Sequence, residues 1–335
     1  METQSLTLKI DDASHVGTAR RAVVGLAARL GATEVESGKV ALVATELATN
    51  LVRHAGGGEM LARPLARKGE AGVEVVTVDQ GPGIAQIDHA LRDGFSTAGT
   101  NGAGLGAVSR LATRCDIYSM PGTGTAVVAR MQFAGPPNAG RAVVAGVSVA
   151  KPGETACGDA WDWAADGERW TIFVADGLGH GTDASIAAAE AIRVYREQDG
   201  APVKDVIGLA HGALRHTRGA AIAMAEVRPG RQELTFAGVG NIGATILSGG
   251  ATRSLVSMPG IVGHECRKIQ EFSYPWTRQA ILVLFSDGLQ SRWTLDRYPA
   301  LTSRDPALLA ALLYRDFTRG RDDVTVVAGR EDSPA

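Results

Sequence analysis

The second half of the chain carries four acidic corners: Gly158-Asp159, Asp176-Gly-Leu-Gly-His-Gly181, Ser286-Asp287-Gly288 and Asp322-Asp323-Val-Thr325. The middle two directly follow apolar runs that read as strands, and carboxylates emerging from strand ends can converge on cations. Several aspartates with few histidines suit Mg2+ or Mn2+, which prefer oxygen ligands and retain waters, better than zinc. A hydroxide bridging two such ions can attack a phosphate ester. One Asp-Gly pair is an ordinary turn, because Asp caps and Gly supplies positive φ, but four in this order carry more. His180 has two readings, a proton donor to a leaving group or an exposed residue between glycines. Asp162 reads as surface.

The first half holds a different set. Glu46 and Asn50 lie four apart, so on a helix they share one face, beside an apolar line of Val40, Val43, Leu47 and Leu51. Asp79-Gln-Gly81-Pro-Gly83 closes a strand, and its glycines let the backbone approach a flat ring. Gly102-Ala-Gly104-Leu-Gly106 opens a helix, whose free N–H groups and dipole suit phosphates. Gly122-Thr-Gly-Thr125 precedes a last strand. Each fragment alone is weak. No Gly-x-x-x-x-Gly-Lys-Ser/Thr occurs, and the glycine run has one residue too few between its last two glycines for a dinucleotide fingerprint, so both of those nucleotide folds are disfavoured.

The elements that must position these residues fall into two groups. At 335 residues the length favours two domains. The stretch Phe133-Ala-Gly-Pro-Pro-Asn-Ala-Gly140 has a linker's composition, which places domains at residues 1–136 and 137–335. Before it, hydrophobic periodicity predicts strands at 6–10, 59–65, 73–79, 115–119 and 125–133, with helices at 15–30, 35–55 and 104–113. After it come strands at 142–149, 161–164, 170–175, 220–227, 233–239, 244–248, 281–286 and 324–328. Helices are predicted there at 184–197, 203–215 and 306–315. The expected class is α+β with two domains, the first an α/β sandwich of mixed order without a strict βαβ repeat, the second using two antiparallel sheets flanked by helices.

Composition narrows the partners. Thirty-four basic and 36 acidic residues give a net charge of -2, without the electrostatic footprint of a nucleic-acid or anionic-lipid binder, so a protein or small molecule is the expected substrate. Hydrophobic residues at 45% and charged residues at 21% are ordinary for a globular chain. The first twelve residues lack the basic start and apolar core of a signal peptide. Apolar runs such as 280–285 are too short to span a bilayer. Cys115, Cys157 and Cys266 are odd in number, form no CxxC pair and are not followed six residues later by arginine. They read as core filler in a reducing cytosol.

Taken in order, the motifs of the first half resemble the whole series of the Bergerat-fold ATPases. Within that superfamily Asp79 to Gly106, including Asp93-Gly-Phe-Ser-Thr97, is similar to the anti-sigma-factor serine kinases of the RsbT type. The resemblance implies ATP with Mg2+ as cofactor. It implies that Asn50 holds Mg2+ against the phosphates, that Asp79 accepts from the adenine amine, and that Gly81 and Gly83 shape the base pocket. Gly102, Gly104 and Gly106 would line the phosphates and Thr125 would close the adenine side. Glu46 would orient or deprotonate the attacking hydroxyl. His54 reads as a core or capping histidine.

The acidic corners resemble the PPM-type metal-dependent serine/threonine phosphatases, and most of all their SpoIIE and RsbX branch. That implies an αββα sandwich with two Mn2+ or Mg2+ ions, in which Asp159 and Asp176 bridge or flank both metals. The Gly177 carbonyl would coordinate one, while Asp287 and Asp322 complete the second and Asp323 stands behind them. Cys157 replaces an acid common at its position, which puts a third metal in doubt, and the phosphate-clamping arginine of eukaryotic members has no evident match. Together the resemblances imply a bifunctional signalling enzyme acting on STAS-domain antagonist proteins, with a sigma factor or effector downstream and pairing of two copies left open. The alternative is a phosphatase whose first domain only binds ATP and a sigma factor or switch protein.

Overall fold

Thr33 starts the helix that carries Glu46 and Asn50. Its hydroxyl accepts from Glu36 N (3.3 Å) while the Glu36 carboxylate accepts from Thr33 N (2.7 Å), a reciprocal cap on the free amides of the helix start. Thr33→Ala is expected to weaken this helix by about 0.5–2 kcal/mol, read as faster amide hydrogen exchange along Glu34–Asn50 in the full chain.

The computed structural model describes residues 4–67, 69–91, 104–135, 142–198 and 200–332. The predicted linker around residue 137, Gly102 and the stretch Asp93-Gly-Phe-Ser-Thr97 lie outside the described residues. The chain divides into two units, Met1–Ala139 with Leu295–Leu312, and Gly140–Thr294 with Leu313–Ala335.

In the first unit β1 (Leu6–Ile10), β2 (Gly58–Arg67), β3 (Glu70–Val78), β4 (Arg114–Met120) and β5 (Gly124–Ala134) form one antiparallel sheet, ordered β1-β2-β3-β5-β4. Its helices are α1 (Ala13–Arg29), α2 (Glu34–Asn50), the single turn α3 (Ile87–Ala90) and α4 (Gly104–Leu111). Val23, Leu26, Val40, Val43 and Leu47 bury their apolar faces against Met60, Val73, Val75 and Val127 of the sheet. The predicted apolar line on α2 thus meets a sheet face, as its spacing requires.

The two-residue period of the strands sends Arg63, Glu74 and Arg130 to the opposite face, directly across from one another in register. Glu74 is 2% exposed and accepts from both arginines. Asp305 completes the group, taking Arg130 Nη1 and Nη2 at 2.6 and 2.7 Å. Nearby, Asp305 N donates to Asp116 (2.8 Å) and the Tyr118 hydroxyl donates to Pro299 O (3.1 Å). The sequence reading put Leu295–Leu312 in the second domain; by its contacts the segment clusters with the first unit.

The second unit contains β6 (Ala142–Val149), β7 (Asp159–Ala165), β8 (Trp170–Gly177), β9 (Ala220–Arg228), β10 (Glu233–Val239), β11 (Gly243–Ser248), β12 (Ala251–Ser254), β13 (Phe272–Pro275), β14 (Ile281–Phe285) and β15 (Val324–Glu331). They make two five-stranded antiparallel sheets, β13-β10-β9-β8-β7 and β12-β11-β14-β15-β6. Trp161, Trp170, Ile172 and Phe236 of one sheet pack against Val144, Ile246, Leu282 and Val327 of the other. Helices α5 (Thr182–Glu197) and α6 (Val203–Ala213) cover the outer face of the first sheet, where Ala191, Ile192 and Ile207 meet Phe173, Ile222 and Met224. The last helix, α7 (Pro306–Phe317), begins within Leu295–Leu312. This is the two-domain α+β architecture expected. The sequence reading missed β12 and β13. Every residue of β12 is exposed, so it shows no inward face, while β13 alternates but is an edge strand of four residues ending in proline, too short to register as a periodic run. Among the described residues no helix is long and apolar enough to cross a membrane.

Candidate active sites

In the second unit Asp159 opens β7 and Asp176 nearly closes β8, and the two are direct partners across the strands. The hairpin thereby sets two carboxylates side by side. Asp287 follows β14 and Asp322 precedes β15. Burial pushes the Asp176 carboxyl well up, and the charges of Asp159, Asp287 and Asp322 push it further. Burial also raises Asp159, against the hydrogen bond that the Ser286 hydroxyl donates to it at 2.6 Å. Asp287 is raised by burial and by Asp322, and it accepts from Asn241 Nδ2 at 2.6 Å. Like charges gathered this way call for a compensating cation.

Close backbone approach makes this crowding feasible. A Cβ on Gly177 would stand 2.1 Å from Ala184 O, and one on Gly288 would stand 1.9 Å from Asp323 O. Asp323 turns one oxygen to Lys151 N (2.8 Å) and its other toward Gly158. Asp176, His180, Asn241, Asp287 and Asp322 help line a cavity of about 420 Å3, within the usual range for a ligand site. Among the described residues no three His, Cys, Asp or Glu side chains close tightly around one point. Ions that keep several waters do not need such a cage. His180 lies at this cavity, its Nδ1 paired with Glu154 at 2.7 Å. Asp162 takes Arg196 at 2.6 Å in a surface pair. Burial, with the Asp159 charge added to it, pushes the Cys157 thiol far up.

In the first unit Asp79 follows β3, and its Oδ1 accepts from Gly81 N (2.9 Å) and Thr125 N (3.1 Å). The Thr125 hydroxyl bonds Ser119 at 2.8 Å, and Ser119 accepts from Ile84 N at 2.7 Å. Gly83, at φ +72°, would drive a Cβ to 2.1 Å from Met120 O, so only glycine fits this turn. A Cβ on Gly81 would meet Ala55 at 2.6 Å. Asp79, Gly81 and Thr125 are therefore tied together by hydrogen bonds just after β3, with Gly83 packed against Met120 beside them. Glu46 and Asn50 sit at the end of α2, which continues as a wide i→i+5 turn over Leu51–Ala55, and Gly104 and Gly106 open α4, packed on α2. Asn50 Nδ2 is buried with no hydrogen-bond partner. Such an orphaned donor costs about 1–3 kcal/mol, which a bound ligand would recover. His54 is exposed on that turn rather than in the core.

Residues 10–131 match the family described as the histidine kinase-like ATPase domain, and residues 166–330 match stage II sporulation protein E. The serine/threonine-protein kinase RsbT of Bacillus subtilis (strain 168) is 37% identical over 111 residues, 33% of this chain and 84% of RsbT. The chain belongs to the RsbT family, with a SpoIIE-type phosphatase domain behind it. The phosphoserine phosphatase RsbX of the same organism is 26% identical over 185 residues, 54% of this chain and 90% of RsbX. A crystal structure of RsbX in complex with magnesium superposes with a TM-score of 0.51 at 21% identity, over 59% of this chain and 98% of that one.

The residues of the RsbT-like domain fit a nucleotide: an orphaned amide on α2, a carboxylate braced by two amides, and glycines where a Cβ would collide. Those of the SpoIIE-type domain fit divalent cations, since Asp176, Asp287 and Asp322 line one cavity and Asp159 stands beside Asp176 across the hairpin. Sequence reasoning missed two supporting residues there. Asn241 carries no motif around it, and Ser286 lay inside a quoted motif although its hydroxyl showed no role until Asp159, 127 positions away, stood beside it.

Proposed function

We propose that the RsbT-like domain is a serine/threonine protein kinase and the SpoIIE-type domain a Mn2+- or Mg2+-dependent phosphoserine/phosphothreonine phosphatase. Both act in the cytoplasm on STAS-domain antagonist proteins in a partner-switching pathway. The observation that carries the phosphatase reading is the facing pair Asp159 and Asp176, with Asp287 and Asp322 around the same cavity. Asp159, Asp176, the Gly177 carbonyl, Asp287 and Asp322 would hold two cations. When bound, these supply water activation and neutralise phosphoryl oxygens. Ser286 and Asn241 fix the Asp159 and Asp287 carboxylates in place.

In the kinase domain Asp79 would offer a braced acceptor to an amino-purine edge, and Asn50, whose amide has a buried unpartnered Nδ2, would meet the phosphates and their Mg2+. Glu46, one helical turn before Asn50, positions the attacking hydroxyl. The test mixes the full chain with labelled ATP, Mn2+ and purified STAS-domain proteins. Wild type is expected to place label on the partner and remove it, and Asp176→Asn to leave it there. Glu46→Ala is expected to slow transfer by about 100- to 10,000-fold. ATP binding without transfer to any STAS protein would replace the kinase reading with a binding module for a sigma factor or switch protein.

A further inference from the structure

The cavity between Asp176, Asp287 and Asp322 must, on the phosphatase reading, admit a doubly negative phosphoryl group, yet among the described residues its lining has no arginine or lysine. Arg319 lies close enough to stabilise the ionised Asp287. One other guanidinium stands at the rim. A Cβ on Gly179, which lines the cavity, would come within 3.1 Å of Arg218 Nη1, so this side chain lies along the Leu178–Gly181 loop. Gly179, at φ +92°, leaves that space open. Leu178 N donates to Gly219 O (2.9 Å), tying the loop to the residue after Arg218.

Arg218 Nη2 donates to Asp183 in the first turn of α5 at 2.6 Å, and the two side chains are 51% and 60% exposed. An exposed pair of this kind contributes little and forms and breaks readily. A two-pronged guanidinium–phosphate contact at a cavity mouth is stronger and geometrically matched. We propose that Arg218 is the phosphate-receiving arginine of the SpoIIE-type domain, held beside the cavity by Asp183 and handed to the phosphoryl oxygens of an entering phosphoserine or phosphothreonine. This rests on the phosphatase reading above.

The experiment uses the full chain with Mn2+ and p-nitrophenyl phosphate, then a phosphoserine peptide, measuring kcat, KM and inhibition by inorganic phosphate. Arg218→Ala is expected to raise KM and the phosphate inhibition constant together by about 10- to 100-fold, with little change in kcat. Arg218→Lys recovers part of the loss. Asp183→Asn breaks the same pair but keeps the guanidinium, so KM stays level or falls. An unchanged KM and phosphate inhibition in Arg218→Ala would overturn the proposal, as would an Asp183→Asn variant with the Arg218→Ala defect, which makes the pair structural. A wild-type chain that hydrolyses neither substrate overturns the phosphatase reading and this one with it. An active wild type with an unaltered Arg218→Ala variant overturns only this one.

Discussion

Asp305→Ala is expected to destabilise the first unit by about 3–5 kcal/mol, the usual result of removing one partner from a buried ion pair. Asp305 and Arg130 have side chains 1% and 12% exposed and make a bidentate contact, so losing the carboxylate leaves a largely desolvated guanidinium short of a partner. Without Asp305, Arg130 shares the single charge of Glu74 with Arg63. Asp305 also accepts from Ala307 N at 2.9 Å, capping α7 just ahead of Pro306. Asparagine keeps that cap and alanine does not. Asp305→Asn should therefore fall between wild type and Asp305→Ala, and adding Arg130→Met should recover stability by removing the unpaired charge.

Acid provides a second reading of the same pair. Burial alone would push the Asp305 carboxyl up, but the charge and hydrogen bonds of Arg130 reverse this and hold it at about 2, below its ordinary 3.8. Glu74 is shifted down likewise, burial being outweighed by Arg63 and Arg130. A carboxyl held low when folded contributes stability that is complete above its unfolded value and lost as pH falls through the folded value. The first unit is expected to weaken between about pH 4 and 2, and Asp305→Asn to flatten that dependence. All five tryptophans belong to the second unit, so amide hydrogen exchange in β3 and β5 is the suitable probe.

The second large effect is at Asp176. Asp176→Asn is expected to lower Mn2+-dependent phosphatase activity by at least about 100-fold, since even changes to groups behind the ligands cost 10- to 100-fold. The same variant should be more stable than wild type in chelator, because it removes one charge from a buried set with Asp159, Asp287 and Asp322. Added Mn2+ should raise the melting temperature of wild type through preferential binding to the folded state, and raise that of the variant much less. Equal Mn2+ stabilisation of both would remove Asp176 from the proposed ligand set. The opposed changes in activity and stability follow from one cause, carboxylates crowded for chemistry.

By itself the sequence determined the two domain types and singled out the residues proposed for their sites, for a physical reason. Asp79, Gly81 and Gly83, or Asp159 and Asp176, sit at strand ends where local turn chemistry already restricts the residue type, so a few positions carry the signal. The apolar line of α2 was legible because helical spacing is a local property. The tertiary structure alone decided what depends on distant partners. Asp305 and Arg130 are 175 positions apart, and nothing in either neighbourhood announces that a carboxylate from Leu295–Leu312 completes a charge cluster on the first sheet. Asn241 and Asp287 are 46 apart, and Arg218 reaches Asp183 across 35. Such pairings arise from how sheets and helices stack, which residue spacing along the chain does not encode. The two domain types were therefore readable from the chain, while the amide that braces Asp287 and the guanidinium beside the cavity emerged only once the strands had been brought together.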